Sequence, residues 1–164
     1  MTFNQFQARY KTKECCFFTG HRAIAADKME ELKLKLMATV ENLINRGITA
    51  FIAGGALGFD TVAAQTVLKL KGKYPFIKLV LVLPCTNQTA RWSENNKQVY
   101  EDILKQADIV HYIGDEYRTD CMLRRNDHLV EYAEHCVCYL RKQSGGTMYT
   151  VAYAKRMGRE LVML

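Results

Sequence analysis

Apolar positions along the 164-residue chain follow two alternating patterns. Short, nearly continuous apolar runs are separated by longer stretches in which an apolar residue returns every three or four positions. Runs of the first kind predict buried strands and stretches of the second kind predict amphipathic helices. Glu14–Thr19 reads as a first strand ending at Gly20. Asp27–Arg46 reads as a helix, with Met29, Leu32, Leu36, Val40 and Leu43 on one face, Asp27 and Glu30 spaced as a capping box, and Gly47 as the stop. A second strand is predicted over Ile48–Ala53, a helix over Gly58–Leu70, and a third strand over Ile77–Leu83, closed by Pro84. The rhythm continues with a helix from about Arg91 to Ala107 and a strand over Asp108–Tyr112. A helix capped by Asp120 then runs to Ala133, followed by a strand over His135–Leu140. The last elements are a helix opened by Ser144–Thr147 and ending at Arg156, and a short strand over Glu160–Leu164.

This βαβα order, in units of 20 to 30 residues, predicts an α/β fold. The expected architecture is a Rossmann-like, doubly wound, mainly parallel sheet of five to six strands with helices on both faces. Residues 14–164 form the expected single domain, a length in keeping with one core. Residues 1–13, which carry Arg9, Lys11 and Lys13 and no acid, read as a basic N-terminal extension.

Composition changes this picture in three ways. With 49% hydrophobic and 24% charged residues, the chain is neither disordered, collagen-like nor a coiled coil. The net charge of +6 favours anionic partners such as nucleotides, nucleic acid or phosphorylated metabolites. The longest apolar run, Leu79–Pro84, is too short to span a bilayer, and the start lacks a basic region followed by an apolar stretch. No membrane partner and a cytoplasmic address are therefore expected. The six cysteines, at 15, 16, 85, 121, 136 and 138, include no C-x-x-C and meet no histidine at finger-like spacing. Reduced thiols and no metal site follow as expectations.

In an open α/β sheet, ligands bind beyond the carboxyl ends of the strands. There this sequence places Gly20-His21-Arg22, then Gly54-Gly55-Ala56-Leu57-Gly58-Phe59-Asp60, then Pro84-Cys85 with Trp92, and finally Ser144-Gly145-Gly146-Thr147. Two glycine-rich turns each enter a helix, offering free N–H groups to an anion. A phosphorylated small molecule is the expected partner, and no further cofactor is required. The turn at 53–58 lacks the first glycine of the dinucleotide fingerprint, and Leu83-Pro84 stands where an acid for ribose hydroxyls would be. There is no G-x-x-x-x-G-K-[ST] and no G-x-S-x-G, so neither a P-loop nor a hydrolase nucleophile elbow is present.

Each candidate residue has a plainer alternative. Arg22 clamps a phosphate or pairs with a surface neighbour. His21 serves as an acid–base group or caps the turn. Asp60 accepts from ribose hydroxyls or is a first-turn helix acid. Trp92 stacks on a purine or packs on its own helix. Arg125 shares a helix face with apolar Met122 and Leu129, a position that suits an arginine only beside an anion. Asn126 follows it. Cys85 has no evident base and reads as packing. Ser144 and Thr147 cap a helix whether or not a phosphate is bound.

These strand-end motifs, together with Ala107-Asp108, Tyr117, Cys121-Met122, Arg125-Asn126 and Thr150, resemble the YpsA-like branch of the SLOG superfamily over residues 14–164. The resemblance implies a Rossmann-like fold related to the DNA-processing protein DprA and to the LOG phosphoribohydrolases. It also implies a nucleotide or nucleotide-derived, ADP-ribose-like ligand, and homodimers are common among such proteins. LOG enzymes follow their P-G-G-x-G-T turn with a pair of glutamates used in N-glycoside cleavage. Here Gly145-Gly146-Thr147 leads into Met148-Tyr149-Thr150, with no acid before Glu160. The favoured reading is thus a sensor or sequestering module rather than an enzyme. An N-glycosidase acting on a nucleoside monophosphate through a non-standard acid such as Asp60 or Asp127 is the first alternative, with Asp60 and His21 the catalytic candidates, and a DprA-like nucleic-acid adaptor is the second.

Overall fold

The computed structural model describes all 164 residues. Six strands, β1 (Cys15–Gly20), β2 (Ala50–Ala53), β3 (Lys78–Leu83), β4 (Ile109–Tyr112), β5 (His135–Tyr139) and β6 (Glu160–Met163), form one sheet in the order β4-β3-β2-β1-β5-β6. All five pairings are parallel. The helices are α1 (Phe3–Arg9), α2 (Met29–Asn45), α3 (Phe59–Leu70), α4 (Glu94–Gln106), α5 (Cys121–Tyr132) and α6 (Gly146–Arg156). Helices α2, α3 and α4 cover one face and α1, α5 and α6 the other. The expected Rossmann-like, doubly wound class is the class observed.

Alternation along the strands sorts the core. Cys16, Phe18, Phe51, Leu79, Leu81 and Val137 point to the α2–α4 layer, while Cys15, Phe17, Ile52, Val80, Val82 and Cys136 point to the α5–α6 layer. Inner strands need apolar side chains on both faces, hence their continuous runs. The edge strands β4 and β6 are covered on fewer sides and are half-exposed.

Differences from the expected boundaries have local causes. Gly47 (φ +100°) donates to Ile44 O and Ile48 donates to Leu43 O, a paired C-terminal closure of α2 that takes Ile48 away from β2. Asp27 forms no capping box: it lies in a 3-10 turn over Ala26–Lys28, and α2 starts from Lys28 without a side-chain cap. Helix α4 starts at Glu94 rather than near Arg91, because the Ser93 hydroxyl accepts the Asn96 N–H at 3.2 Å. Asp120 occupies the N-cap position of α5, but its side chain accepts no hydrogen bond there. The segment expected as a basic extension contains α1, whose Phe3 and Phe6 are buried against the α5 side of the sheet. Phe3 stacks on His111 at 4.0 Å. Residues 1–13 therefore pack with the rest of the chain.

From β1 the chain steps outward through β2, β3 and β4, then returns to place β5 on the other side of β1. The loops leaving β1 and β5 diverge to opposite faces. This is the switch point at which such sheets open a crevice.

Candidate functional site

A cleft of about 220 Å³ opens at that switch point. Its floor is the end of β1 (Phe18, Thr19, Gly20) with the following His21 and Arg22. One wall is Ala56 and Asp60 at the start of α3. The other is Met122, Arg125, Asn126 and Leu129 of α5, with Gly146 and Thr147 of α6.

Two of the glycines here serve packing between loops. A Cβ on Gly20 would overlap the Phe59 ring, and one on Gly58 (φ +79°) would overlap the backbone of Arg22. The Phe59 N–H donates to His21 O at 3.1 Å. The turn before α3 and the loop after β1 thus lie against one another, and this contact fixes where Arg22 and Asp60 stand.

Arg125 is 4% exposed. Its Nη1 donates to Gly54 O, its Nε donates to Asn126 Oδ1 at 2.8 Å, and its Nη2 approaches Met122 Sδ at 3.9 Å. Burial lowers its pKa, with nearby Asp60 opposing. Asp60 is 6% exposed. Its Oδ2 accepts the Ala56 N–H at 3.2 Å, while Oδ1 has no partner. Side-chain polar atoms sealed off without a partner are confined to Thr49 Oγ1 and Gln88 Oε1, so Asp60 Oδ1 is reached from the cleft. Burial pushes the Asp60 carboxyl above its ordinary range, against the pull of Arg125, the Ala56 N–H and Arg22.

His21 acts as an acceptor. Its Nε2 takes the main-chain N–H of Arg141 at 2.7 Å and that of Lys142 at 3.2 Å, tying the loop after β5 to the end of β1. Both bonds need a neutral ring with its proton on Nδ1. Burial, Lys142 and Arg141 all lower its pKa. An imidazole committed in this way lacks a free Nε2 for acid–base work. Arg22, by contrast, is exposed, lines the cleft and has no ion-pair or hydrogen-bond partner. At the start of α6 the N–H groups of Gly146, Thr147 and Met148 are likewise unused, the first capping bond being Tyr149 N–H to Gly145 O.

The cleft thus gathers Gly20, His21, Arg22, Ala56, Asp60, Arg125, Asn126, Gly146 and Thr147 from the sequence-derived candidates. The others lie elsewhere. Gly54 sits behind Arg125, which covers its carbonyl, and Gly55 faces Leu83 and Gln88. Gly58 lies beneath the Arg22 backbone, and Ser144 and Gly145 are exposed beyond the rim. Pro84 lines a different cavity, near the end of β4, and Cys85 is fully buried. Trp92 packs edge-on against Tyr100, with centroids 5.4 Å apart, and leans on the α2–α4 core, which corrects the stacking role considered for it. Phe18, Thr19, Met122 and Leu129 line the cleft without having been singled out as ligand contacts. The helical spacing of 122, 125 and 129 was the available signal for two of them. No three His, Cys, Asp or Glu side chains come together in a way that could hold a metal ion.

Six parallel strands wound both ways from β1, with a polar cleft at the switch point, define a Rossmann-like α/β protein. The chain belongs to the YspA SLOG family, whose model matches residues 8–161. It is 32% identical to a UPF0398 protein of Halalkalibacterium halodurans over 151 residues, covering 90% of this chain and 77% of that one. It is also 32% identical to the SPbeta prophage-derived protein YoqJ of Bacillus subtilis over 148 residues, covering 81% and 86%. Among solved structures it is similar to DprA of Streptococcus pneumoniae, with a TM-score of 0.66 at 19% identity, covering 93% of this chain and 50% of that one. The single-stranded-DNA-binding DprA of Helicobacter pylori gives 0.66 at 18% identity, covering 93% and 65%. At those identities the likeness is one of fold. No helix of the chain is long and apolar enough to cross a membrane.

Proposed function

We propose that the cleft binds a nucleotide or nucleotide-derived ligand and that the protein acts as a sensor or sequestering module for it. One observation carries this reading. An uncommitted cation (Arg22), a buried carboxylate with a free oxygen (Asp60) and the unused N–H groups of α6 share one cavity. A phosphate suits the α6 start and Arg22, and sugar hydroxyls suit Asp60 Oδ1 as donors. At about 220 Å³ the cavity is below the roughly 300–1,000 Å³ of sites that enclose a drug-sized ligand. It accommodates the phosphate and sugar, leaving a base or second group at the mouth.

Titration calorimetry with AMP, ADP-ribose, NAD and cyclic nucleotides tests the proposal. At least one should bind, and Arg22→Ala should weaken it about tenfold or more, the worth of a charge-assisted hydrogen bond. No heat from any of these ligands overturns it.

The raised pKa of Asp60 supports a second reading, in which Asp60 is the general acid of an N-glycosidase. Release of free base from nucleoside monophosphates, abolished by Asp60→Asn, would establish that activity. Unchanged substrates would remove it.

A further inference from the structure

The segment that carries the chain from β5 into α6 is held by bonds rather than by burial. Residues 141–146 are all exposed, and nothing lies within 4 Å of a Cβ built at Gly145. Three hydrogen bonds fasten this loop to distant residues. The Arg141 guanidinium donates to Leu164 O at 2.8 Å, and the main-chain N–H groups of Arg141 and Lys142 both donate to His21 Nε2, at 2.7 and 3.2 Å. His21 is itself fixed from the other side, its main-chain oxygen accepting the Phe59 N–H at 3.1 Å. One residue therefore joins the start of α3, which carries Asp60, to the loop that leads into the unused N–H groups of α6. Gly146 and Thr147 follow Lys142 by only four and five positions.

We propose that His21 is the positioning residue of the α6 anion site and that protonating it frees the loop, so that the cleft holds its ligand near neutral pH and releases it in acid. This rests on the reading of the cleft as an anion site and names how that site is regulated. A protonated imidazole is a donor at both nitrogens, so no rotation of the ring restores an acceptor for the Arg141 and Lys142 N–H groups. The charges around the ring act in the same direction. Arg141 and Lys142 stand on the loop and Arg22 follows in the chain, while β5 contributes Tyr139, edge-on with centroids 6.2 Å apart. From α2, Lys28, Glu31 and Lys35 share a cavity with Arg141, and Glu31 is paired with Lys35 at 3.1 Å. Asp60 and Arg125 line the same cleft as His21. Burial, Lys142 and Arg141 hold the imidazole below its ordinary range, which keeps it an acceptor at neutral pH.

Two measurements test it. NMR of the full chain without ligand follows the His21 ring nitrogens and the amide signals of Arg141, Lys142, Gly145 and Gly146 as the pH is lowered. The neutral ring should carry its proton on Nδ1, and all four amides should shift with the midpoint of the ring. Amides at 145 and 146 that ignore that titration overturn the proposal, whatever the cleft binds. Calorimetry with ADP-ribose, whose diphosphate keeps its charge over this range, reads the consequence for a ligand. Wild-type affinity should fall about tenfold between pH 7.5 and about one pH unit below the His21 midpoint, the worth of the two lost hydrogen bonds. His21→Gln presents an amide oxygen that accepts without titrating. It should bind more tightly than His21→Ala at pH 7.5, and neither variant should share the acid loss. Wild-type affinity that stays constant or rises in acid overturns the proposal, a rise being the mark of an imidazolium that touches the anion. If ADP-ribose binds at no pH while the amides follow the ring, the nucleotide reading fails and the acid-sensitive tether stands.

Discussion

The Arg125 guanidinium donates to the carbonyl oxygen of Gly54, joining a helix on one face of the sheet to a turn belonging to the other. A Cβ at Gly54 would overlap the guanidinium and press on Asp60 Oδ2 at 2.9 Å. The absent side chain at 54 is what lets the arginine reach its acceptor. The arginine in turn brings positive charge near buried Asp60 without an ion pair between them, so the carboxylate keeps an oxygen for the cleft.

Replacing Arg125 by Met, similar in length and uncharged, should therefore destabilise the protein. Gly54 O loses its side-chain donor and Asp60 loses the nearest buried cation. Removing one member of a buried charged arrangement costs about 3–5 kcal/mol. At about 2–4 °C per kcal/mol for a chain of this size, the melting temperature should fall by roughly 6–20 °C. A melt within 2 °C of wild type would show that the contact contributes little.

His21 predicts a specific pH dependence. Its folded pKa lies below the ordinary imidazole value of 6.5, with burial the first cause. Protonation removes the lone pair that accepts from Arg141 and Lys142. The folded state binds fewer protons than the unfolded one, so the contribution is complete above pH 6.5 and is lost as the pH falls through the folded value. His111, also lowered by burial and by His128, acts with the same sign. Denaturant melts at pH 7.5 and pH 5 should show a smaller acid-induced loss in His21→Ala than in wild type. The difference between the two proteins isolates His21 from His111, and equal losses would refute the assignment.

Strand positions were legible because a sheet covered on both faces demands apolar runs, and β3 (Leu79–Leu83) displays one without interruption. Strand order was not legible. Nothing in the chain from 14 to 140 states that β5 pairs with β1, yet that pairing decides which strand ends face a common crevice. Without that order the ends of β1, β2, β3 and β5 carry equal weight, and Pro84, Cys85 and Trp92 at the end of β3 fall outside the cleft. Arg125 was legible for a different reason: a charge on an apolar helix face must find a partner, whatever the topology. The apolar face predicts an anion as that partner, whereas within the chain it is a main-chain carbonyl.

The glycines of the two turns should respond differently to alanine. Gly58 needs both a positive φ and the space taken by the Arg22 backbone, while Gly145 needs only its φ of +90°, with nothing near a Cβ. Gly145→Ala should cost about 1–3 kcal/mol, the strain of a non-glycine residue at φ +90° and ψ −174°, a backbone region essentially confined to glycine. Gly58→Ala should cost clearly more, since backbone must move. Equal stabilities in urea titrations would mean that the loop after β1 yields more readily than its contacts suggest.

Asp60 should trade stability for binding. Its folded pKa is raised, so the folded protein favours the protonated form, and the associated stability is full below the unfolded pKa of 3.8 and lost as the pH rises through the folded value. At neutral pH the ionised group is therefore a net burden on the fold. Asp60→Asn, which keeps an oxygen for the Ala56 N–H, should raise the melting temperature at pH 7, and the gain should shrink as the pH approaches 3.8. The same substitution exchanges a charged acceptor for a weaker neutral one and should reduce affinity for whichever nucleotide probe binds wild type, by about tenfold. A group that weakens the fold and strengthens binding marks a functional site. If Asp60→Asn lowered the melting temperature at pH 7 and left affinity unchanged, Asp60 would be a structural acid of the α3 start and the sugar would have to lie elsewhere in the cleft.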